Sequence, residues 1–108
     1  MVEEEVKDIN MIGFSMISNV GTAKSLVMES LYAAKEGDYD LAEKKLKESK
    51  IYFVEAHKIH ASLIKREAGG EKIELTLIFM HAEDQLLSTE TISELVKEMI
   101  EMYRRFDK

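Results

Sequence analysis

Cysteine, proline and tryptophan are all missing from this chain. Without cysteine there is no disulfide framework, no thiolate metal site and no cysteine nucleophile. Without proline, nothing inside a helical stretch forces the backbone to stop. Apolar runs approaching the roughly 20 residues that span a bilayer are also lacking. The opening Met1-Val2-Glu3-Glu4-Glu5 is acidic where a secretion signal is basic and then apolar, so a cytoplasmic protein is expected. An excess of Lys and Arg is missing too: the net charge is -6, with basic residues spread along the chain. A phosphate-backbone surface needs clustered positive charge, so nucleic acid is excluded as a partner.

What is present is helical. Its 108 residues suit one domain, residues 1–108, with one core. Two breaks divide them. At Glu36-Gly37-Asp38-Tyr39-Asp40, Gly37 can close one helix and Asp38 can cap the next. At Ala68-Gly69-Gly70-Glu71 the paired glycines release the backbone again. The spacing predicts helices over roughly 5–35, 39–67 and 72–105. Ile9, Ile12, Met16, Val20, Ala23, Val27, Leu31 and Ala34 form the apolar stripe of the first. Gly13 and Gly21 interrupt it, and Gly21, with Ala23 and Ser25 nearby, suggests close approach of another helix. Ala42, Leu46, Ser49, Phe53, Ala56, His60 and Leu63 form a seam on the second. Ile73 to Met80 is β-branched enough to suggest a strand, but it has no partner and reads as the start of the third helix. Short turns between helices of this length give an all-α, antiparallel three-helix bundle.

The third helix is unusual because it is apolar on more than one side. Around the run Ile73 to Met80 there is more greasy surface than a three-helix bundle can bury, and an oligomer with third helices on its axis would cover it. A second stripe, Leu77, His81, Asp84, Ser88, Thr91 and Leu95, follows the same three-and-four spacing. His81, Asp84 and Gln85 lie at i, i+3 and i+4 and share a face. Spacing alone leaves two readings open: a solvated polar stripe, or a functional histidine beside a carboxylate. Neutral imidazole is nucleophilic near neutral pH, and a hydrogen bond at one nitrogen orients the other, which suits phosphoryl transfer.

Longer segments carry a resemblance. Gly21-Thr22-Ala23-Lys24-Ser25-Leu26, Ala33-Ala34-Lys35-Glu36-Gly37-Asp38-Tyr39, Glu55-Ala56-His57-Lys58-Ile59 and Glu67-Ala68-Gly69-Gly70-Glu71 resemble the lactose/cellobiose (diacetylchitobiose) class of phosphotransferase-system IIA components. The most specific segment is Met80-His81-Ala82-Glu83-Asp84-Gln85-Leu86-Leu87, similar to the family's His-Ala-Gln-Asp-His-Leu-Met. The resemblance implies a homotrimer of three-helix bundles. It implies that His81 accepts a phosphoryl group at its tele nitrogen from the phosphocarrier protein HPr. The group then passes to a cysteine of the cognate IIB component, serving a membrane IIC component that imports a disaccharide. It implies that three copies of Asp84 meet near the three-fold axis around a divalent cation, magnesium. Gln85 replaces the family's second histidine and is a candidate hydrogen-bond donor to the phosphate. His60 stands where the family often has glutamine.

Other features point elsewhere or nowhere. His57 and His60, at i and i+3, match the spacing of a metal-ligand pair, but no third ligand stands beside them, and His60 falls on the seam, so it reads as a hydrogen-bonded core histidine. Glu43, Lys44, Lys45, Lys47 and Glu48 read as an exposed face with i, i+4 pairing, Glu3-Glu4-Glu5 as a solvated or frayed end, and the seven methionines as core filler. Two alternatives to a carrier are a helical interaction or regulatory module that keeps the bundle without the phosphate, and a hydrolase using His81 with Glu83 or Asp84. The hydrolase lacks both a nucleophile motif and a placeable carboxylate pair.

Overall fold

A computed structural model describes residues 2–107. Three α-helices fill almost all of it: α1 (Val2–Lys35), α2 (Tyr39–Ala68) and α3 (Leu77–Phe106). Together they form a rod of 62 × 21 × 19 Å. The family of contacts from Gly13 beside Ile78 to Gly37 beside Asp107 sets α1 and α3 parallel, with α2 antiparallel between them in sequence. The architecture is the all-α, up-down-up bundle that the helical spacing implies.

Both turns are built by one device. The Asp38 N–H donates to the Ala33 carbonyl (2.9 Å) and the Gly37 N–H to the Ala34 carbonyl (3.0 Å), with Gly37 at φ 81. This closure satisfies the last carbonyls of α1 and needs a left-handed residue, which glycine supplies without a Cβ clash. Asp38 Oδ1 then accepts from the Leu41 N–H at 3.1 Å and starts α2. At the far end, Gly70 at φ 99 repeats the closure through Glu71 N–H to Arg66 carbonyl and Gly70 N–H to Glu67 carbonyl. Glu3, Glu4 and Glu5 occupy the first turn of α1 and complement its positive end, so the helix begins at Val2, ahead of the expected residue 5.

The third helix corrects the expected start. It begins at Leu77 and not at residue 72. The Thr76 hydroxyl accepts from the Phe79 N–H at 3.1 Å, so the local cap outcompetes the helix propensity of the preceding residues. Residues 71–76 run without regular structure, and Ile73 is turned into the core beside Leu63 and Phe79. The same β-branching that suggested a strand disfavours helix here.

The helices do not share contacts equally. α1 packs along the whole of both partners, while α2 and α3 barely touch each other. One core cluster joins Ile9, Met16, Val20, Ala56, Leu63, Phe79 and Leu86, and a second joins Val27, Ala34, Ala42, Val96 and Ile100. The buried stripe of α3 is Phe79, Ala82, Leu86, Thr89, Ser93, Val96 and Ile100. Gly13 marks the close approach of α1 and α3: a Cβ there would lie 3.1 Å from Ile78 Cγ2 and 3.4 Å from Phe79 Cα. Gly21 does not, since a Cβ there meets nothing within 4 Å. That corrects the expectation from its small neighbours: Gly21 lies on the outer face of α1. The charged face of α2 also differs from expectation. Its ion pairs cross between helices, Glu43 with Arg104 (2.8 Å) and Lys45 with Glu29 (3.8 Å), instead of running i to i+4.

Candidate functional site

His81 sits in the second turn of α3, fifth in the helix after the Thr76 cap, and its side chain is exposed. The whole stripe containing it faces outward: Leu77, His81, Asp84, Ser88, Thr91 and Leu95 are all exposed. This stripe is opposite the residues that pack on α1, as a helix with two seven-residue patterns requires. Leu77 is 82% exposed, and Leu95 of the same stripe and Met80, Leu87 and Met102 outside it are each more than half exposed. The apolar surplus seen in the sequence is therefore real surface on one chain. Gln85 borders the stripe and is half-buried.

Two histidines of α2 reach across to α3. His60 Nδ1 lies 2.7 Å from the Glu83 carboxylate, and His57 Nε2 lies 2.6 Å from Glu90. The first pair is the more sheltered, with side chains 26% and 23% exposed. The reading of His60 as a hydrogen-bonded core histidine holds for the hydrogen bond and not for the core, since the ring is only half-buried at the α2–α3 edge. Its glutamate partner was not identified from the sequence, although Glu83 falls on the α2 side of α3, one residue before the outward Asp84. Each histidine is engaged by its own carboxylate. Among the described residues no three histidine, cysteine or acidic groups converge on a metal position.

That last fact bears on the cation. One chain brings a single outward carboxylate, Asp84, to the stripe, so any cation there needs Asp84 from more than one copy. Carboxylate oxygens are the right donors for magnesium or calcium, and Asp84 is accessible to meet other copies. Among the described residues a single chain does not by itself supply the several oxygen donors such an ion takes.

Among the described residues the chain is a three-helix rod with an outward histidine near one end of α3 and an uncovered apolar stripe around it. The chain belongs to the lactose/cellobiose-specific IIA subunit family of the phosphotransferase system, whose model matches residues 11–104. It is 37% identical over 99 residues to the lactose-specific EIIA component of Streptococcus mutans, covering 92% of this chain and 95% of that one. The cellobiose-specific enzyme IIA of Bacillus anthracis superposes with a TM-score of 0.87 at 37% identity, covering 90% and 89% of the two chains. The IIA(Chitobiose) of the Escherichia coli N,N'-diacetylchitobiose branch, solved as a complex with HPr, superposes with a TM-score of 0.80 at 30% identity, covering 93% and 97%. Among the described residues no helix is long and apolar enough to cross a membrane.

Proposed function

We propose that this chain is a phosphocarrier in which His81 accepts a phosphoryl group from phospho-HPr and delivers it to a cysteine of a IIB component. The observation that carries the reading is the exposure of His81 on a rigid helix, within the segment most similar to the family's carrier motif. An imidazole nitrogen with a free lone pair attacks phosphorus in line. The nitrogen–phosphorus bond of His81 forms as the bond to the donor breaks, and its electron pair leaves with the donor. In the second half, the IIB thiolate attacks the same phosphorus and the bond to His81 breaks, restoring neutral imidazole. Neither step needs a nucleotide; rate comes from positioning and from managing the charge of the transferring group. Gln85, at the edge of the stripe, is placed to donate its amide to a phosphoryl oxygen.

The outward stripe supports a homotrimer with α3 helices at the centre, because Leu77, Met80, Leu87 and Leu95 would there be covered. Three Asp84 carboxylates would then face one another, and a divalent cation such as magnesium would offset their repulsion. Relatives named for lactose, cellobiose and chitobiose support a disaccharide, taken up by a membrane IIC component, as the substrate class, beside others named for lichenan and oligo-beta-mannoside. The carrier itself would work in the cytoplasm, where its donor is.

One observation favours a second reading. Gln85 occupies the position of the family's second histidine, which is what a bundle retained as an interaction module would tolerate. A single experiment separates the two: intact mass after incubation with phosphoenolpyruvate, Enzyme I and HPr. One acid-labile phosphoryl group is expected on the native chain and none on His81→Ala. A native chain that stays unmodified beside an active control IIA would leave the interaction module standing.

A further inference from the structure

Contacts on two sides fix how α1 is turned. Ile12 borders a hollow with Lys58, Ile59 and Leu63 of α2, and Gly13 lies against Ile78 and Phe79 of α3. Each residue advances a helix by about 100°, so Phe14 points past α3, on the side away from α2. α3 is turned in a matching way. Phe79, Ala82 and Leu86 share a core with α1, while Glu83 and Glu90 reach His60 and His57 of α2. His81, two residues from Glu83 and about 200° around the helix from it, also points away from α2. Phe14 and His81 therefore rise from one face, built by two parallel helices. Their heights agree as well: a Cβ on Gly13 would lie 3.4 Å from Phe79 Cα, and His81 is about 3 Å further along the axis. With helix axes about 8 Å apart, the two Cβ atoms stand on the order of 10 Å from each other. Phe14 is 59% exposed, with half-buried Ile17 between it and α3. Gly21, two turns further along the same face, leaves it low, since a Cβ there meets nothing within 4 Å.

We propose that Phe14 is the apolar anchor on which the phosphoryl-bearing protein docks, on the α1–α3 face opposite α2. In-line transfer brings the donor's phosphorus to bonding distance of the His81 imidazole, so the donor must cover this face. A brief protein contact buries on the order of 500–800 Å² on each side, a patch of about 13–16 Å radius, and Phe14 falls inside it. An exposed aromatic ring near the middle of such a patch carries a large share of the binding energy. The stripe proposed to meet other copies is led by Asp84, only about 100° around from Glu83, so the docking face lies at its edge. Charge narrows the occupant further. From Asp8 to Ala23 and from Ile73 to Val96 there is no lysine or arginine, while Asp8, Glu74, Glu83, Asp84, Glu90 and Glu94 are acidic. The fitting partner has an apolar patch beside its phosphoryl group and basic residues around that patch. The assignment rests on the carrier reading and adds to it the surface by which the donor is recognised.

The test is the rate of phosphoryl loading against phospho-HPr concentration for the native chain, Phe14→Ala and Tyr32→Ala, with His81→Ala as the blank. Tyr32 is a second exposed aromatic of α1, about 27 Å along the helix from Phe14. Phe14→Ala is expected to raise the KM for phospho-HPr about five- to ten-fold, with kcat within about two-fold of native. Tyr32→Ala is expected to keep the native KM. Loading is also measured from phosphoramidate, a small phosphoryl donor that needs no docking surface, and Phe14→Ala is expected to match the native chain there. A native KM in Phe14→Ala overturns the proposal, and so does an equal rise in Tyr32→Ala. Slower loading of Phe14→Ala from phosphoramidate overturns it too, because the damage would then lie in His81's own surroundings. A change in particle mass on sedimentation of Phe14→Ala overturns it as well, since the ring would then be covered by another copy. A native chain that takes no phosphate from phospho-HPr brings down the carrier reading and this inference with it, whereas identical loading of native and Phe14→Ala removes only the inference.

Discussion

Gly13 and Gly21 are alike in the sequence and opposite in the molecule. Both lie inside α1, where glycine weakens a helix, yet only Gly13 has a neighbour that a methyl group would crowd. Gly21→Ala is therefore expected to raise the unfolding free energy by about 0.5–1 kcal/mol, and Gly13→Ala to show no such gain. Thermal or urea melts of the two variants beside the native chain measure the contrast. Tyr39 offers a second residue-scale expectation. Its hydroxyl donates to Asp107 Oδ2 at 2.7 Å, and this bond, followed by desolvation and the Asp107 charge, raises its pKa above the ordinary phenol value; Arg104 over the ring works the other way. A folded-state pKa above the unfolded one means the contribution is complete below the ordinary phenol range and is lost as pH rises through the folded value. Alkaline titration of phenolate absorbance is expected to show one component ionising above the ordinary phenol range, absent in Tyr39→Phe. The chain has four tyrosines and no tryptophan, so that signal is uncluttered.

At the scale of elements, the punctuation was legible and the third start was not. Gly37, Asp38 and Gly70 announce their roles because a left-handed turn and a carboxylate cap have few substitutes. Thr76 lies in the middle of an apolar, β-branched run, where periodicity drowns a single hydroxyl; nothing local says that Ile73 will be pulled into the core while Leu75 and Leu77 are left outside. Thr76→Ala removes the cap bond and is expected to cost about 1 kcal/mol of stability, with fraying confined to the start of α3. Amide exchange at Phe79, whose N–H loses its acceptor, is the direct measurement. His81, Asp84 and Gln85 were legible as neighbours from spacing, but their orientation was not. Two stripes on α3 satisfy helical spacing, and only packing decided that Phe79, Ala82 and Leu86 face α1. The His60–Glu83 tie joins positions whose sequence separation gives no local signal at all.

For the whole molecule, the uncovered stripe carries the strongest expectation. Sedimentation or light scattering should return three chains per particle; a solely monomeric species would leave Asp84 without the company a shared cation needs. Asp84→Leu extends the apolar line through Leu77, Leu87 and Leu95 and, in the proposed trimer, would delete three mutually repelling charges. It is expected to yield a trimer that resists chelator, whereas the native chain, if it forms the proposed trimer around a cation, is expected to lose thermal stability when divalent cations are withdrawn. Melting curves with and without chelator, run on both chains, distinguish these behaviours.

The unequal sharing of contacts among the helices has a consequence for the order in which the rod assembles. α1 and α2 are joined by a tight turn and can zip together as a local hairpin. α3 must find α1 across the whole intervening chain, at pairings as remote as Gly13 with Ile78, and gains little from α2 when it arrives. Closing a long loop for a single interface is the slow and most reversible step. The helix bearing His81 is thus expected to dock onto a hairpin already formed, resting almost wholly on α1 and leaving its outward stripe free for company.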